Sequence, residues 1–567
     1  MLTVLLIWAY MFFVTLAYAV AFLNICRFYW QVQKGIIFQL PILWVLGLTL
    51  VSWLSSGLSL LFRMGLYAHL FVLAGALLSF GIFYEEFVVL IKMNFRRNQW
   101  WVLLLALLGV TVVVLHAVTP PSNPDTSLYH AQAIRWIEEY PAVPGLGNLD
   151  PRLGANSTWF VLNALFSFSF FKLQSFHIVP SFLFLVSLLY FLDGFRHILK
   201  GSVRLSQILK IGFVPFAFYI LIDETSSPGT DLPIILYYWV ILCLWVESIE
   251  KRDNSRPLQF VVFLLSMSVI TYKMSGAFIV LIGVYIFIIW LKQKEYHLSV
   301  MGMGLAIIIL VPWLLRNYVL SGYWLYPEPA TSFFSSAVDW KMPIERVLSF
   351  KQGVQAWAIT PRMTWSEIAN LSFQSRLGIW FSHLTTNQKG VFLIAILSPI
   401  LLLFFFLVSS LTKIRSFSAV PWVVFLMAYL NLFFWLITAP NFRFGYGYVV
   451  GVGMIAFLPA LAFIFEKFES YRFLLVLFLI IVLSLQQVYV IYGATRDGTQ
   501  YIRYIILPAP YSQASSYPCK IGGTTIFCAQ SWRQCSYDAF PCVAAPLDNV
   551  ELRGDTFRDG FRWVLSK

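Results

Sequence analysis

The chain has 567 residues, of which 59% are hydrophobic and only 11% charged, with a mean hydropathy of +0.77. Soluble domains carry about 25% charged residues, so most of this chain is solvated by lipid and a water-soluble globular protein is excluded. The net charge of +13 comes with no Gly-rich phosphate loop and no basic run interleaved with aromatics, so no nucleic-acid partner is expected; it falls in short loops between apolar spans, as the positive-inside rule requires.

Apolar windows of roughly 17–25 residues mark the expected spans. MLTVLLIWAYMFF has no basic start and no small-residue cleavage site, so Leu2 to Asn24 is read as a retained span. Two more, Ile36 to Phe62 and Leu66 to Ile91, complete an N-terminal group over residues 1–99. A fourth, Trp100 to Val118, opens the core, residues 100–492, and delivers a long polar loop, 119–176, to the outer face. Within it SLYHAQAIRWIEEY has apolar residues at helical spacing and predicts a helix lying along the membrane, capped by Thr126 or Ser127. NSTWFVLNALFSFSFF reads as a second surface helix. Spans then follow near His177, Ile211, Leu232, Leu258, Gly276 and Val300. A second outer region, 316–388, is rich in Trp, which suits an interface. Four last spans begin near Val391, Ala419, Tyr448 and Phe473. The total is about fourteen, with both termini outside. Lys34, Arg96, Lys200, Arg252, Lys292, Lys413, Arg415 and Lys467 are among the cations that fall inside. The tail, 493–567, is polar and holds Cys519, Cys528, Cys535 and Cys542. Four cysteines in an oxidising compartment predict two disulfides in any of three pairings. Zinc is disfavoured there, since no CxxC pair and no nearby His accompany them. The tail is too small for a large core and is expected to pack on the outer loops.

The residues able to carry chemistry gather at the outer ends of spans. Asp125 follows a span after a short Pro-rich hinge. His130 stands five residues on, which in an α-helix is a different face; a metal or base role for it stays open. Asp223 and Glu224 end one span, and SSPGTDLP with Asp231 opens the next. Lys273 sits in TYKMSG, Arg316 in VPWLLRNYVLSGYWLYP and Arg443 in APNFRFGYGY. Cations at that depth are costly unless paired or facing a polar cavity. They suit a phosphate, Arg binding it as a fork and Lys as a point charge. The bland alternative is that each snorkels to water from a helix end.

Taken in order, these motifs resemble the C-type glycosyltransferases, multi-span enzymes that use lipid-linked sugars, and within them the protein mannosyltransferase and aminoarabinose transferase group. The resemblance spans roughly Trp100 to Phe465. It rests on Asp125 with Tyr129 and the surface helix, on SSPGTD with Asp231, on TYKMSG, on PW–RN–G–YP around Arg316, and on Arg443 after a Pro. The chain departs from many relatives in having Thr126 after Asp125 where they have a second acid. The three leading spans and the Cys-containing tail lie outside the common core. The resemblance implies an all-α polytopic fold of the bacterial inner membrane with an extracytoplasmic site. It implies a polyprenyl-phosphate-sugar donor and a glycan, lipid or protein acceptor. Asp125 would be the catalytic base, and Lys273, Arg316 and Arg443 would bind the donor phosphate. Tyr129, His130, Arg152, Asn156 and Asp231 would contact substrate, with a divalent metal left open. A transporter or flippase of a lipid-linked saccharide, or a glycan polymerase or ligase, shares the long outer loop and remains an alternative. Charges clustered at the outer surface favour the enzyme, because transporters place them near the bilayer centre.

Overall fold

The computed structural model describes residues 1–30, 38–97, 100–199, 203–251, 255–334, 337–412, 421–495, 502–531 and 533–564. Lys34, Lys200, Arg252, Lys413 and Arg415, expected in inside loops, lie outside the described residues. The fold is helical apart from small sheets in the tail.

Eight described helices are long and apolar enough to cross a membrane: Leu2–Arg27, Leu40–Leu61, Val179–Ile198, Asp231–Glu250, Met274–Lys292, Tyr296–Ser321, Thr386–Val408 and Phe442–Lys467. The expected third span is instead two helices, Leu66–Ile82 and Tyr84–Met93, bent by 80° at their junction. The break has a physical cause. Glu85 and Glu86 open the second piece, and taking two carboxylates straight on through hydrocarbon is costly. Five further apolar helices, Leu104–Ala117, Thr158–Phe171, Leu205–Leu221, Arg256–Tyr272 and Trp422–Thr438, are shorter than the others. The bent pair and four of the shorter helices, all but Thr158–Phe171, stand at five of the other expected spans, and the helix Arg472–Thr495 stands at the last. An apolar count does not register where a Pro or an acidic pair cuts a span short. Pro215, for example, lies inside Leu205–Phe216, and a π-turn over Ala217–Leu221 follows it.

The two outer-loop helices differ from expectation in their surroundings. Ala131–Glu139 forms as predicted, but neither Thr126 nor Ser127 caps it. It grows instead from a π-turn over Thr126–His130. Thr158–Leu165 is capped by the Ser157 hydroxyl, and every residue in it is buried, so it is a core element and not a surface helix. Its sequence, TWFVLNAL, has no charged face to offer water.

The tail carries two disulfides, Cys519–Cys528 and Cys535–Cys542. The first staples the hairpin of Ser516–Ile521 and Thr524–Ala529, whose turn is Gly522–Gly523 with φ of +51° and +86°, a region that favours glycine. Cys542–Val543 adds a parallel third strand, and Val550–Leu552 pairs with Phe561–Trp563. The tail's own core is small: Ala529, Cys535 and Cys542, with Phe527 and Ala539 against them. Ile521, Ile526, Val543, Val550 and Phe561 share another with Trp136, Val143, Leu146, Leu149 and Leu320 from the outer loops. The polar face of Ala131–Glu139 is covered too. Gln132 donates to Ser536 O and Ala539 O at 2.9 and 2.7 Å, and Arg135 donates to Tyr537 O and Asp538 O at 2.6 and 2.7 Å.

Candidate functional site

Asp125 ends the Pro-rich hinge, and its position is set by the loop that leads into Asp231–Glu250. Ser122 Oγ donates to Asp223 O at 2.7 Å, and Asn123 N donates to Ser227 Oγ at 2.9 Å. Asn123 Nδ2 donates to Glu224 Oε2 at 3.0 Å, while Asn123 Oδ1 accepts from Asp125 N at 3.0 Å. The SSPG turn therefore fixes the hinge, and the hinge aims the carboxylate. Gly229 lies where a Cβ would come within 3.3–3.6 Å of Asn123, Glu224 and His130.

Four charged side chains meet there. Arg443 Nη2 lies 2.5 Å from Asp125 Oδ2, and its Nε lies 2.9 Å from Asp231 Oδ2, the latter an ion-pair contact without hydrogen-bond alignment. Lys273 Nζ contacts Asp231 Oδ1. The result is a chain of alternating charge, Asp125–Arg443–Asp231–Lys273, with no net charge. Each member sits at an element end. Asp231 is in the first turn of its helix, where the backbone dipole favours an acid. Lys273 immediately precedes the short helix Met274–Ile279. Arg443 is in the first turn of Phe442–Lys467 and not in a loop, because Asn441 caps that helix by accepting from Arg443 N at 3.0 Å. Aromatic faces wall the cations: Phe444 lies 3.9 Å from Lys273 Nζ, and Phe444 and Trp357 lie 5.4 and 5.5 Å from the Arg443 guanidinium carbon.

His130 belongs to this site, and the π-turn is the reason. Hydrogen bonding from i to i+5, here Ala131 N to Thr126 O, brings residues five apart toward one face. An α-helix would have turned them apart. His130 is buried against Tyr129 and Phe160, and its Nδ1 has no partner. Burial pushes its imidazole down to about 4 despite the pull of Asp125 and Asp231, so the ring is neutral near pH 7. For Asp125, burial pushes the carboxyl up, but Arg443, His130 and Lys273 together hold it below its ordinary value. Glu224, whose largest influence is burial, lies above its ordinary value.

The remaining expected residues divide. Tyr129 lies beside His130, with the Arg152 guanidinium 5.9 Å from its ring centre. Arg152 itself forks onto Asp150, Nε to Oδ1 at 3.0 Å and Nη2 to Oδ2 at 2.7 Å. Asn156 donates to Trp313 O at 3.1 Å. Arg316 is not joined to the cluster. It lies in Tyr296–Ser321, a helix that Gly322 ends at φ +85°, and its Nη1 donates to Ser59 O and Oγ at 3.1 Å each. Sequence reasoning passed over Asn123, Phe444 and Trp357. The only available signal for the last was the Trp-rich character of the second outer region. Trp357 also lines a cleft of about 280 Å³, together with Ser349, Gln352, Thr364 and Trp365. Among the described residues, no group of three His, Cys, Asp or Glu side chains is arranged to hold a metal ion.

Among known proteins, a family model described as "Domain of unknown function (DUF8201)" matches residues 1–450. No curated protein and no solved structure matches the chain.

Proposed function

The chain belongs to the DUF8201 family, whose description assigns no activity, and we propose from its site that it is a membrane glycosyltransferase of the C type. It would move a sugar from a polyprenyl-phosphate donor to an acceptor hydroxyl. The observation that carries this reading is the meeting of Asp125, Asp231, Lys273 and Arg443. Each was singled out from sequence alone, and each comes from a different element of the chain.

The chemistry follows from the pairing. A donor phosphate competes with the two carboxylates for Arg443 and Lys273. As Arg443 turns to the phosphate, Asp125 loses its counter-ion and becomes a better base. It takes the proton of the acceptor hydroxyl while that oxygen attacks the anomeric carbon. The bond from carbon to phosphate oxygen breaks, and its electron pair goes to the phosphate, which the two cations stabilise. One displacement inverts the anomeric centre. Asp231, held between both cations, keeps them in place. Neutral His130, with Nδ1 free, is placed to hydrogen-bond the acceptor. Trp357 borders both Arg443 and the adjacent cleft, which suits the acceptor side. The finer topology, with up to fourteen spans around a C-type core in a bacterial inner membrane, goes with this reading. The extracytoplasmic side is supported by two disulfides in a tail packed on the same loops.

The deciding experiment presents purified protein in nanodiscs with a panel of polyprenyl-phosphate sugars and follows transfer. Wild type is expected to transfer at least one sugar. Movement of a labelled lipid-linked saccharide across vesicles, with no transfer from any donor, would identify a transporter instead.

A further inference from the structure

In the helix Ile344–Ile359, Ser349, Gln352, Gly353, Ala356 and Trp357 stand at i, i+3, i+4, i+7 and i+8, and so share one face. That face lines the cleft of about 280 Å³, and Met363, Thr364 and Trp365, from the segment that follows the helix, line it as well. Gly353 and Ala356 keep the helix face low, and a Cβ at Gly353 would meet no atom within 4 Å.

The chemistry of the lining is narrow. Among the described residues no charged side chain lines the cleft. Two indoles, a carboxamide and two hydroxyls supply its aromatic surface and its side-chain polarity. Among the described residues, the Ser349 hydroxyl, the Gln352 carboxamide and both indole N–H groups bond to no protein group. The indoles themselves are held. The Trp357 and Phe444 ring centres lie 6.1 Å apart, and the Arg376 guanidinium carbon lies 5.8 Å from the Trp365 ring centre. Trp357 is nevertheless 41% exposed, so the cleft offers fixed ring surface together with free donors and acceptors.

We infer that the cleft is a carbohydrate subsite for one uncharged pyranose ring, the terminal residue of a glycan. A pyranose has an apolar C–H face that packs on an indole and a rim of hydroxyls that both donate and accept, and the lining answers both. Ligand clefts run about 300–1,000 Å³, so this one is sized for a ring and not for a long chain. Other occupants fit less well. A phosphorylated or carboxylated sugar would find no counter-charge in the lining. A peptide pairs best with a strand edge, and the lining is a helix face and the segment after it. A lipid tail would leave the free polar groups unpaired. Trp357 also lies 5.5 Å from the guanidinium carbon of Arg443, which pairs with Asp125 at 2.5 Å. A glycan bound here would be the acceptor, its terminal ring beside the base; that role rests on the transfer reading above, whereas sugar binding by the cleft does not.

The test measures binding by full-length protein in nanodiscs free of sugar-headed detergent, using saturation-transfer NMR and indole fluorescence. The probes are uncharged trisaccharides of glucose, galactose and mannose, a galacturonic acid trisaccharide and a serine-containing peptide. Wild type should bind at least one uncharged trisaccharide, with saturation strongest on its terminal ring, and neither the charged sugar nor the peptide. Gly353→Leu fills the cleft from an open helical position and should weaken binding roughly 10-fold or more. Gly378→Leu, at an equally open glycine of the helix Phe373–His383, which does not line the cleft, should bind as wild type does. Should Gly353→Leu not fold, Trp365→Leu should weaken binding by a similar factor. A wild type that binds no uncharged trisaccharide, one that prefers the peptide or the charged sugar, or a folded Gly353→Leu protein with wild-type affinity would overturn the inference. Sugar binding lost in Gly353→Leu, in a protein that transfers nothing from any donor, would uphold the subsite and sink the transfer reading; transfer that Gly353→Leu leaves intact would do the reverse.

Discussion

Asp125→Asn separates catalysis from structure at this site. The substitution keeps the side chain's size and one acceptor but removes its charge and its capacity to take a proton. In the folded protein it replaces one charge-assisted contact, Arg443 Nη2 to Asp125 Oδ2 at 2.5 Å, and such contacts contribute about 1.5–3 kcal/mol. Arg443 retains Asp231 at 2.9 Å, and the Asp125 side chain is 20% exposed, so the stability loss falls at or below the lower end of that range. Removing a general base costs about 10²–10⁴ in turnover, or roughly 3–5 kcal/mol of barrier. Activity should therefore fall far more than stability, with donor affinity retained. The pH profile adds a second reading. Arg443 and its neighbours hold the Asp125 carboxyl below its ordinary value, so the acidic limb of kcat/KM, which reports the free protein, should lie below the usual carboxylate range. Once phosphate occupies Arg443, the limb in kcat should move upward. The assay is sugar transfer in nanodiscs across pH, beside a melting curve for each variant. An Asn variant with wild-type turnover, or one whose activity loss matches its loss of folded protein, would refute Asp125 as the base.

Other substitutions address the surroundings of that carboxylate. Lys273→Met and Arg443→Met should each weaken use of a phosphate-linked donor by about 10-fold or more, read as KM in the same assay; unchanged KM in both would move the donor elsewhere. His130 is neutral when folded, with its imidazole at about 4, and ordinary, near 6.5, when unfolded. The unfolded chain therefore binds more protons between those values, so the His130 contribution is complete above pH 6.5 and is lost as pH falls toward 4. His130→Gln should flatten the melting temperature over that window, and an unaltered slope would place the titration on another group. Replacing Cys535 and Cys542 by Ser opens a loop with a sequence separation of 7. The chain-entropy model puts the cost at about 2.5 kcal/mol, and the loosened tail should expose Gln132 and Arg135 backbone neighbours to hydrogen exchange. In wild type all four tail cysteines should resist thiol labelling until a reductant is added, and ready labelling would contradict both disulfides.

Legibility from sequence followed the physics of each feature. The positions of Asp125, Asp231, Lys273 and Arg443 were readable because a charge at a span end next to a Pro or Gly turn is rare and costly. Their pairing was not, because it depends on three helices and a hinge meeting. The juxtaposition of Asp125 and His130 was invisible for a sharper reason. TSLYHAQAIRW carries an α-helical pattern, and nothing in it announces a π-turn. Arg316 was grouped with the other cations because all three end spans. It differs from them in facing Ser59 instead of a carboxylate, a contact 257 positions away in the chain. Breaks at Pro215 and at Glu85 and Glu86 were not anticipated, since hydropathy sums over such interruptions of an apolar run.

The π-turn also explains why a tail that contributes no charge to the cluster bears on it. A π-turn gives up regular i to i+4 bonding, so its carbonyls need other partners. Ser127 O, in the middle of the turn, accepts from Cys535 N at 3.0 Å and Ser536 N at 2.8 Å, both in the second disulfide loop. The helix that continues from the turn is held by the same loop through Gln132, Arg135 and Glu138, the last accepting from Tyr537 Oη at 2.5 Å. The hinge fixes Asp125 from one side and the tail fixes the turn from the other, which leaves the spacing between Asp125 and His130 set by two segments about 410 residues apart in the chain. The family match over residues 1–450 contains every member of the charge cluster and ends before the tail. The charges of the cluster thus lie in the matched region, while the brace on the π-turn lies beyond it. Cutting the Cys535–Cys542 link should therefore disturb His130 more than Arg443. In the Cys535→Ser/Cys542→Ser protein the His130-dependent window of the melting profile should shrink, while donor KM stays near that of wild type; a shift in donor KM with the window intact would reverse that order of dependence.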